Sequence, residues 1–280
     1  MKRIGFIDYY LDEWHANNYP AMIAAYNRKN NSDYQLAYAW GEIDNPSGGL
    51  SNREWCEKFG AELCGSIEEV CERSDHVIIL APSDPERHLD YAGRVFACKA
   101  SPYIDKTFAP DYKTAKAIFE LAGKNGVKFF SSSALRYADE LSVYNGDARS
   151  IYLTGGGSNF DEYIIHQLEM AVKCLGVGAE SVRYEKYADQ EYAEAAYVDG
   201  RHAKLFFSPC LPFTAAVAGA DGRSAYHRIS SPYFDNLIAD IIRFFETGET
   251  SFDSAETLEV MKLREAVIAG KSRPGEWIRL

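Results

Sequence analysis

The run His76-Val-Ile-Ile-Leu-Ala81, closed by Pro82, constrains this chain more than any other segment. Its residues are apolar on both alternating faces, as in a strand covered on both sides, and such strands belong to parallel sheets flanked by helices. Further short apolar runs lie at Arg3 to Asp8, Tyr34 to Trp40, Pro102 to Asp105 and Val127 to Phe130. Helical patterns separate them, at Pro20 to Arg28, Ser51 to Phe59, Pro85 to Cys98 and Asp111 to Asn125, with Ser66-Ile-Glu-Glu69 as a capping box that opens one more. In the last long helix Ala115, Ile118, Phe119 and Ala122 form one apolar stripe, and Gly126 stands where a C-cap belongs. This alternation predicts an α/β fold whose residues 1–132 form a Rossmann-type, doubly wound parallel sheet for nucleotide binding.

The rhythm changes near Ser133. One strong helix, Asp161 to Leu175, ends at Gly176, and strand-like segments follow at Ser181–Tyr187, Glu191–Val198, His202–Phe207 and Phe213–Ala218. Asp199-Gly200 and Asp221-Gly222 are turn signals. Two helices close the chain, Tyr233–Thr247 and Ala255–Ala269. Residues 133–280 therefore read as an α+β domain with a mostly antiparallel sheet, serving substrate binding and oligomerisation. A sheet with one open face and a chain with 14% aromatic residues suit a homo-oligomer.

A net charge of −11 offers no concentrated basic surface for nucleic acid. No window approaches the ~18–20 uninterrupted apolar residues of a membrane-spanning helix, and Asp8 interrupts the first apolar run too early for a signal peptide. The reading is a cytoplasmic protein without a membrane partner. Its six cysteines form no Cys-x-x-Cys pair and suggest no metal site.

Three places carry possible chemistry. The first βα turn, where a dinucleotide fold needs glycines, reads Gly5-Phe-Ile-Asp8-Tyr9-Tyr10, with no further glycine before Gly41. It is either an ordinary structural turn or a modified cofactor site. Lys106 directly follows a buried strand, on the carboxyl edge where open α/β sheets bind ligands, and is either a hydrogen-bond donor to substrate or cofactor or a solvated loop lysine. The third is Gly155-Gly-Gly157 ahead of a helix on which Glu162 and His166 stand four residues apart, with Glu169 beyond. Such a pair shares one helix face and can move a proton near neutral pH, unless it is simply a hydrated polar face. Three successive glycines imply that backbone there approaches something closely.

Four stretches in this order resemble the Gfo/Idh/MocA family of oxidoreductases: His76 to Pro82, Tyr103-Ile-Asp-Lys-Thr-Phe-Ala109, Glu162-x-x-x-His166-x-x-Glu169, and Tyr197-Val-Asp-Gly-Arg201 with the tail regions at Gly248 and Gly275. Ser131 to Tyr137 also resembles that family's passage between domains. The resemblance runs nearly end to end. It implies a nicotinamide cofactor, NAD or NADP, and a sugar, cyclitol or similar polyol-like substrate. Lys106 then takes the place of the catalytic lysine, and His166, oriented by Glu162, that of the proton-transfer residue. Gly5, Ile7, Asp8, Tyr9 and Tyr10, with Pro82, Ser83 and Lys106, would line the cofactor. Glu42 or Asp44 would take the ribose hydroxyls, which favours NAD. The chain departs from the family pattern at the missing glycines, at Thr107 for proline, Glu162 for aspartate, Ile164 for glycine, and in the spacing of His88 from Pro82. A binding or regulatory protein, or a sugar hydrolase or lyase, is the alternative on the same scaffold.

Overall fold

The computed structural model describes residues 1–280, which divide into two compact units. The first comprises Met1–Ser132 and Leu237–Ser251; the second comprises Ser133–Asn236 and Phe252–Leu280.

In the first unit the chain runs β1 (Lys2–Asp8), α1 (Trp14–Asn30), β2 (Tyr34–Gly41), α2 (Asn52–Phe59), β3 (Glu62–Leu63), α3 (Ile67–Arg73), β4 (His76–Ile79), α4 (His88–Ala97), β5 (Tyr103–Asp105), α5 (Tyr112–Asn125) and β6 (Phe130–Ser132). All six strands are parallel, in the order β3-β2-β1-β4-β5-β6. The order reverses between β1 and β4, so the crevice at their carboxyl ends is the ligand position of such a sheet. Ile4, Phe6 and Ile7 of β1 and Val77, Ile78 and Ile79 of β4 are fully buried, as the unbroken apolar run of β4 requires.

The second unit contains β7 (Ala148–Gly155), α6 (Phe160–Leu175), β8 (Ala179–Tyr187), β9 (Gln190–Tyr197), β10 (His202–Phe207), β11 (Thr214–Gly219), β12 (Ser224–Arg228), only the first four residues of α7 (Tyr233–Thr247), α8 (Ser254–Ala269) and β13 (Trp277–Arg279). Its sheet has the order β12-β11-β7-β10-β9-β8-β13 and is antiparallel except for the β7–β10 pair. The Asp199-Gly200 and Asp221-Gly222 turns join antiparallel neighbours, with both glycines at positive φ.

Three readings of the sequence change. Helix α1 begins at Trp14, six residues before Pro20, because the Glu13 carboxylate caps it. Strand β7, inside the second sheet between β11 and β10, was not expected at all. The third concerns α7, which from Leu237 onward packs with the first unit instead of the second. Phe244 lies edge-on to Phe130 at 5.1 Å and Phe245 stacks on His76 at 4.5 Å, so the apolar face of α7 is satisfied there.

Gly5 lies inside β1, and a Cβ there would come within 2.3 Å of Val70 Cγ1 and 2.4 Å of Ser74 Oγ. Its missing side chain makes room for α3, which corrects its assignment as a residue lining the cofactor. Gly5→Ala should therefore cost about 1–3 kcal/mol through overpacking, read as a lower urea midpoint at an unchanged m-value. An unchanged midpoint would show that α3 does not need the gap.

Candidate functional site

The carboxyl edge of the first sheet is built around two carboxylates, at the ends of β1 and β5 on either side of β4. Asp8, at the end of β1, is 1% exposed. Its Oδ1 accepts the N–H groups of Tyr9 at 2.7 Å and Ala81 at 2.9 Å, while the buried Oδ2 has no partner. Burial, with the negative charge of Glu13 nearby, pushes the Asp8 carboxyl well above the ordinary aspartate range. Asp105, at the end of β5, is equally buried. Its Oδ1 accepts the Lys106 N–H at 2.9 Å and the Tyr103 hydroxyl at 3.0 Å. Its Oδ2 stands 3.7 Å from His15 Nε2.

The turn between β1 and α1 is packed with its own acceptors. Glu13 takes the His15 N–H at 2.8 Å on one oxygen and the Ala16 N–H on the other. The Glu13 side chain is 9% exposed and also faces His15 Nδ1 at 3.2 Å. Asp12 accepts the Leu50 N–H at 2.8 Å and the Asn17 amide at 2.9 Å. Burial opposes its charge, but hydrogen bonds from Asn17, Leu50 and Asn45 hold its carboxyl below the usual value. Buried Asn52 ties the turn to β2, accepting the Leu11 N–H at 3.0 Å and donating to the carbonyls of Gly41 and Ile43 at 3.1 and 2.7 Å.

The remaining candidates of this unit stand on the same edge. Pro82 follows Ala81, which is held at φ 57°, and its carbonyl accepts the Thr107 N–H at 3.3 Å. The Lys106–Thr107 peptide is cis. Ser83 is exposed. His88, fully buried at the start of α4, places Nδ1 3.0 Å from the Phe108 carbonyl and Nε2 2.5 Å from the Leu80 carbonyl, and so joins the end of β4 to the loop after Lys106. Burial lowers its pKa. Of the two acidic residues after β2, Asp44 accepts the Asn52 N–H at 2.7 Å at the start of α2. Glu42 accepts the Tyr91 hydroxyl at 2.5 Å and pairs with Arg87 at 3.1 Å, whose guanidinium lies 4.7 Å from the centre of the Tyr9 ring.

A dinucleotide on this fold sets its pyrophosphate on the backbone N–H groups of the first βα turn and helix. Here those of Tyr9, Leu11, His15 and Ala16 are already bonded to side-chain oxygens, and Tyr9 and Tyr10 stand where glycines would be. The residues present do not fit a pyrophosphate in that place.

In the second unit α6 presents Glu162, His166 and Glu169 differently from an open polar face. Glu162 turns back to the helix start, where its carboxylate meets Asn159 Nδ2 at 3.1 Å and Ser158 Oγ at 3.4 Å. His166 Nδ1 lies 2.6 Å from Ser133 Oγ. Glu169 is buried and accepts the Ser133 N–H at 3.2 Å on one oxygen and Arg136 at 3.1 Å on the other. Arg136 also bonds Glu256 and covers the Phe252 ring at 3.8 Å. Burial pushes the Glu169 carboxyl up, against the pull of the adjacent guanidinium. A chain of buried charge thus fixes Ser133, and Ser133 fixes one face of the imidazole. Ser133 and Arg136 fall in the stretch read from the sequence as a passage between domains, but nothing in the spacing links them to a helix thirty residues on.

The glycine run has an internal explanation. A Cβ on Gly155 would strike the Phe213 ring, one on Gly156 the carbonyls of Ser208 and Pro209, and one on Gly157 the Tyr163 ring, all within 3 Å. The close approach inferred from the sequence is the protein's own. On the open face of the second sheet, a concave recess of about 610 Å³ is lined by Tyr152, Arg183, Tyr192, Glu194, Lys204 and Phe206 among others. No group of side chains is arranged to hold a metal ion, and no helix is long and apolar enough to cross a membrane.

No protein-family model matches this chain, and no characterised protein matches it by sequence. Solved structures do match by fold. A myo-inositol dehydrogenase from Corynebacterium glutamicum superposes with a TM-score of 0.78 at 15% identity, over 100% of this chain and 98% of that one. UDP-N-acetylglucosamine 3-dehydrogenase GnnA from Acidithiobacillus ferrooxidans gives 0.74 at 16%, over 96% and 98%. GenD2 of gentamicin A biosynthesis, solved in complex with NAD, gives 0.77 at 14%, over 100% and 97%. The resemblance read from the sequence therefore holds at the level of the fold, α/β with a parallel and a mostly antiparallel sheet.

Two outcomes follow from the carboxylate and imidazole geometry. Because the fold raises the Asp8 pKa, the folded state binds more protons than the unfolded one, so Asp8 makes stability fall as pH rises through its folded pKa. Asp8→Asn should remove that fall while keeping the bonds from Tyr9 and Ala81; a pH–stability curve identical to wild type would sink the assignment. Ser133 Oγ accepts the Leu135 N–H at 3.3 Å and lies 2.6 Å from His166 Nδ1, and a proton given by this hydroxyl to that nitrogen selects the Nε2–H tautomer. Ring nitrogen NMR should show that tautomer in wild type and a loss of the preference in Ser133→Ala. The same tautomer ratio in both proteins would rule out this role for Ser133.

Proposed function

We propose that this chain is an oxidoreductase of the Gfo/Idh/MocA type, acting on a hydroxyl or carbonyl of a sugar, cyclitol or similar polyol-like small molecule. The observation that carries the reading is His166, a histidine on a rigid helix with Nδ1 held by Ser133 above a buried Arg136–Glu169 pair. It stands in a fold shared end to end with an inositol and a sugar-nucleotide dehydrogenase. A proton leaves or joins the reacting oxygen in such a reaction, and an imidazole held in one orientation by a hydrogen bond can carry that transfer. In the same reading Lys106, on the carboxyl edge of the first sheet, is a hydrogen-bond donor to substrate or cofactor. A nicotinamide dinucleotide would supply the hydride chemistry. Ile7, Asp8, Tyr9, Tyr10, Pro82 and Ser83 are the residues proposed to line it once the turn has rearranged from the closed form described above, and the Glu42 carboxylate after β2 favours NAD over NADP. The protein works in the cytoplasm as a homo-oligomer, in which the aromatic open face of the second sheet is covered.

A second reading, a binding or non-redox protein on the same scaffold, is favoured by one observation, the carboxylate-filled first βα turn.

The test is a titration of the purified protein with NADH and NADPH, followed by turnover on a panel of sugars and cyclitols. Binding at millimolar cofactor is expected. Replacing His166 or Lys106 by alanine should then lower turnover by about 10²–10⁴-fold with unchanged circular dichroism. Absence of binding in that range rejects the dehydrogenase, and near-normal turnover in both variants rejects the assigned residues.

A further inference from the structure

A helix of seventeen residues ends at its N-terminus in N–H groups without intrahelical partners and carries a partial positive charge there. That is where this fold receives an anion. In this chain the anion is part of the sequence. Glu13 reaches over the first turn of α1 and accepts two of its N–H groups, one on each carboxylate oxygen. His15 holds the carboxylate from the side at 3.2 Å and itself faces Asp105 at 3.7 Å, so the group is wedged between the helix and an imidazole. Only 9% of the Glu13 side chain is exposed. Next to it the buried Asp8 occupies the end of β1 and takes the Ala81 N–H of the neighbouring strand. Its second oxygen is buried without a partner.

We infer that Glu13 is an internal substitute for the cofactor pyrophosphate, and that it sets the affinity of this chain for dinucleotides by competing with them for the N-terminus of α1. The inference deepens the proposed function and rests on it for the identity of the natural ligand. The competition itself concerns only Glu13, the helix and a phosphate group. One set of N–H donors cannot serve two anions, and the Glu13 carboxylate beside a pyrophosphate repels it. A dinucleotide therefore binds wild type only after Glu13 has swung away.

The decisive experiment compares the full-length wild type with Glu13→Ser and Glu13→Gln. Serine retains a good N-cap without charge, and glutamine retains the length of the side chain. Should the serine variant fail to fold by circular dichroism, the glutamine variant carries the comparison. Inorganic pyrophosphate and ADP are titrated by calorimetry, and NADH by its fluorescence. Wild type should bind all three at millimolar concentration or more weakly, and the neutral variants about tenfold more tightly or better, a gain of about 1.4 kcal/mol. Equal affinities in wild type and both variants, for pyrophosphate and ADP, overturn the inference. So does a wild type that already binds NADH in the low micromolar range. If the variants gain pyrophosphate and ADP but no protein binds NADH, Glu13 holds the anion site as inferred, and it is the nicotinamide reading that fails.

Discussion

The hydrogen bond from the Ala81 N–H to Asp8 Oδ1 joins β1 to β4 at the point where the strand order of the first sheet reverses. Much of the edge follows from it. Ala81 is carried into the left-handed region at φ 57°, and the chain then leaves β4 through Pro82 toward the buried His88. A carboxylate so deeply buried is tolerated because one oxygen has two backbone donors and because burial favours its protonated form. Asp105 repeats the device at the end of β5, with Lys106 N–H and the Tyr103 hydroxyl as donors. The edge that usually offers backbone donors to a ligand is here closed by acceptors from the protein.

The second unit uses the opposite arrangement, a buried cation among acids. Arg136 bonds both Glu169 and Glu256, and breaking such a buried pair by removing one partner costs about 3–5 kcal/mol because it strands a charge. That stiffness is useful at one remove. Glu169 spends its other oxygen on the Ser133 N–H, and the Ser133 hydroxyl meets His166 at 2.6 Å. The imidazole is thus positioned by packing deep in the unit, together with the Tyr163 ring of its own helix at 5.5 Å.

The fold was legible where periodicity and local chemistry agree. The β4 run, the stripe of α5 with its Gly126 cap at φ 65°, and the turns at Gly200 and Gly222 all lie where the pattern puts them. What escaped had signals that point the wrong way locally. Pro20 imitates a helix start, but α1 begins at Trp14 because Glu13, a residue type rarely chosen as a cap, takes the first N–H groups. Strand β7 is preceded by a loop and followed by glycines, so its alternation was overshadowed by the Gly155–Gly157 run. Those glycines spoke truly of close approach, yet the neighbours are Phe213, Tyr163 and the 208–211 backbone. Gly5 was misread in the same way, with α3 in place of a ligand. Partners such as Ser133 for His166 arise from tertiary contact alone, which spacing along one helix does not reveal.

Full-length structural likeness at 14–16% identity, against dehydrogenases of inositol and of sugar nucleotides, fixes the scaffold and leaves the chemistry of its edges to individual side chains. The missing glycines at the first turn are usually taken as a gap in a motif. In this molecule they accompany a positive feature, because Asp8 and Glu13 supply acceptors to the N–H groups of Tyr9, His15 and Ala16 in that turn and helix start. Losing glycines and gaining carboxylates are then two sides of one change, since a turn that no longer hands its N–H groups to a phosphate must satisfy them internally. The chain has solved that requirement within its own sequence, and the position of Glu13 is where the solution can be read.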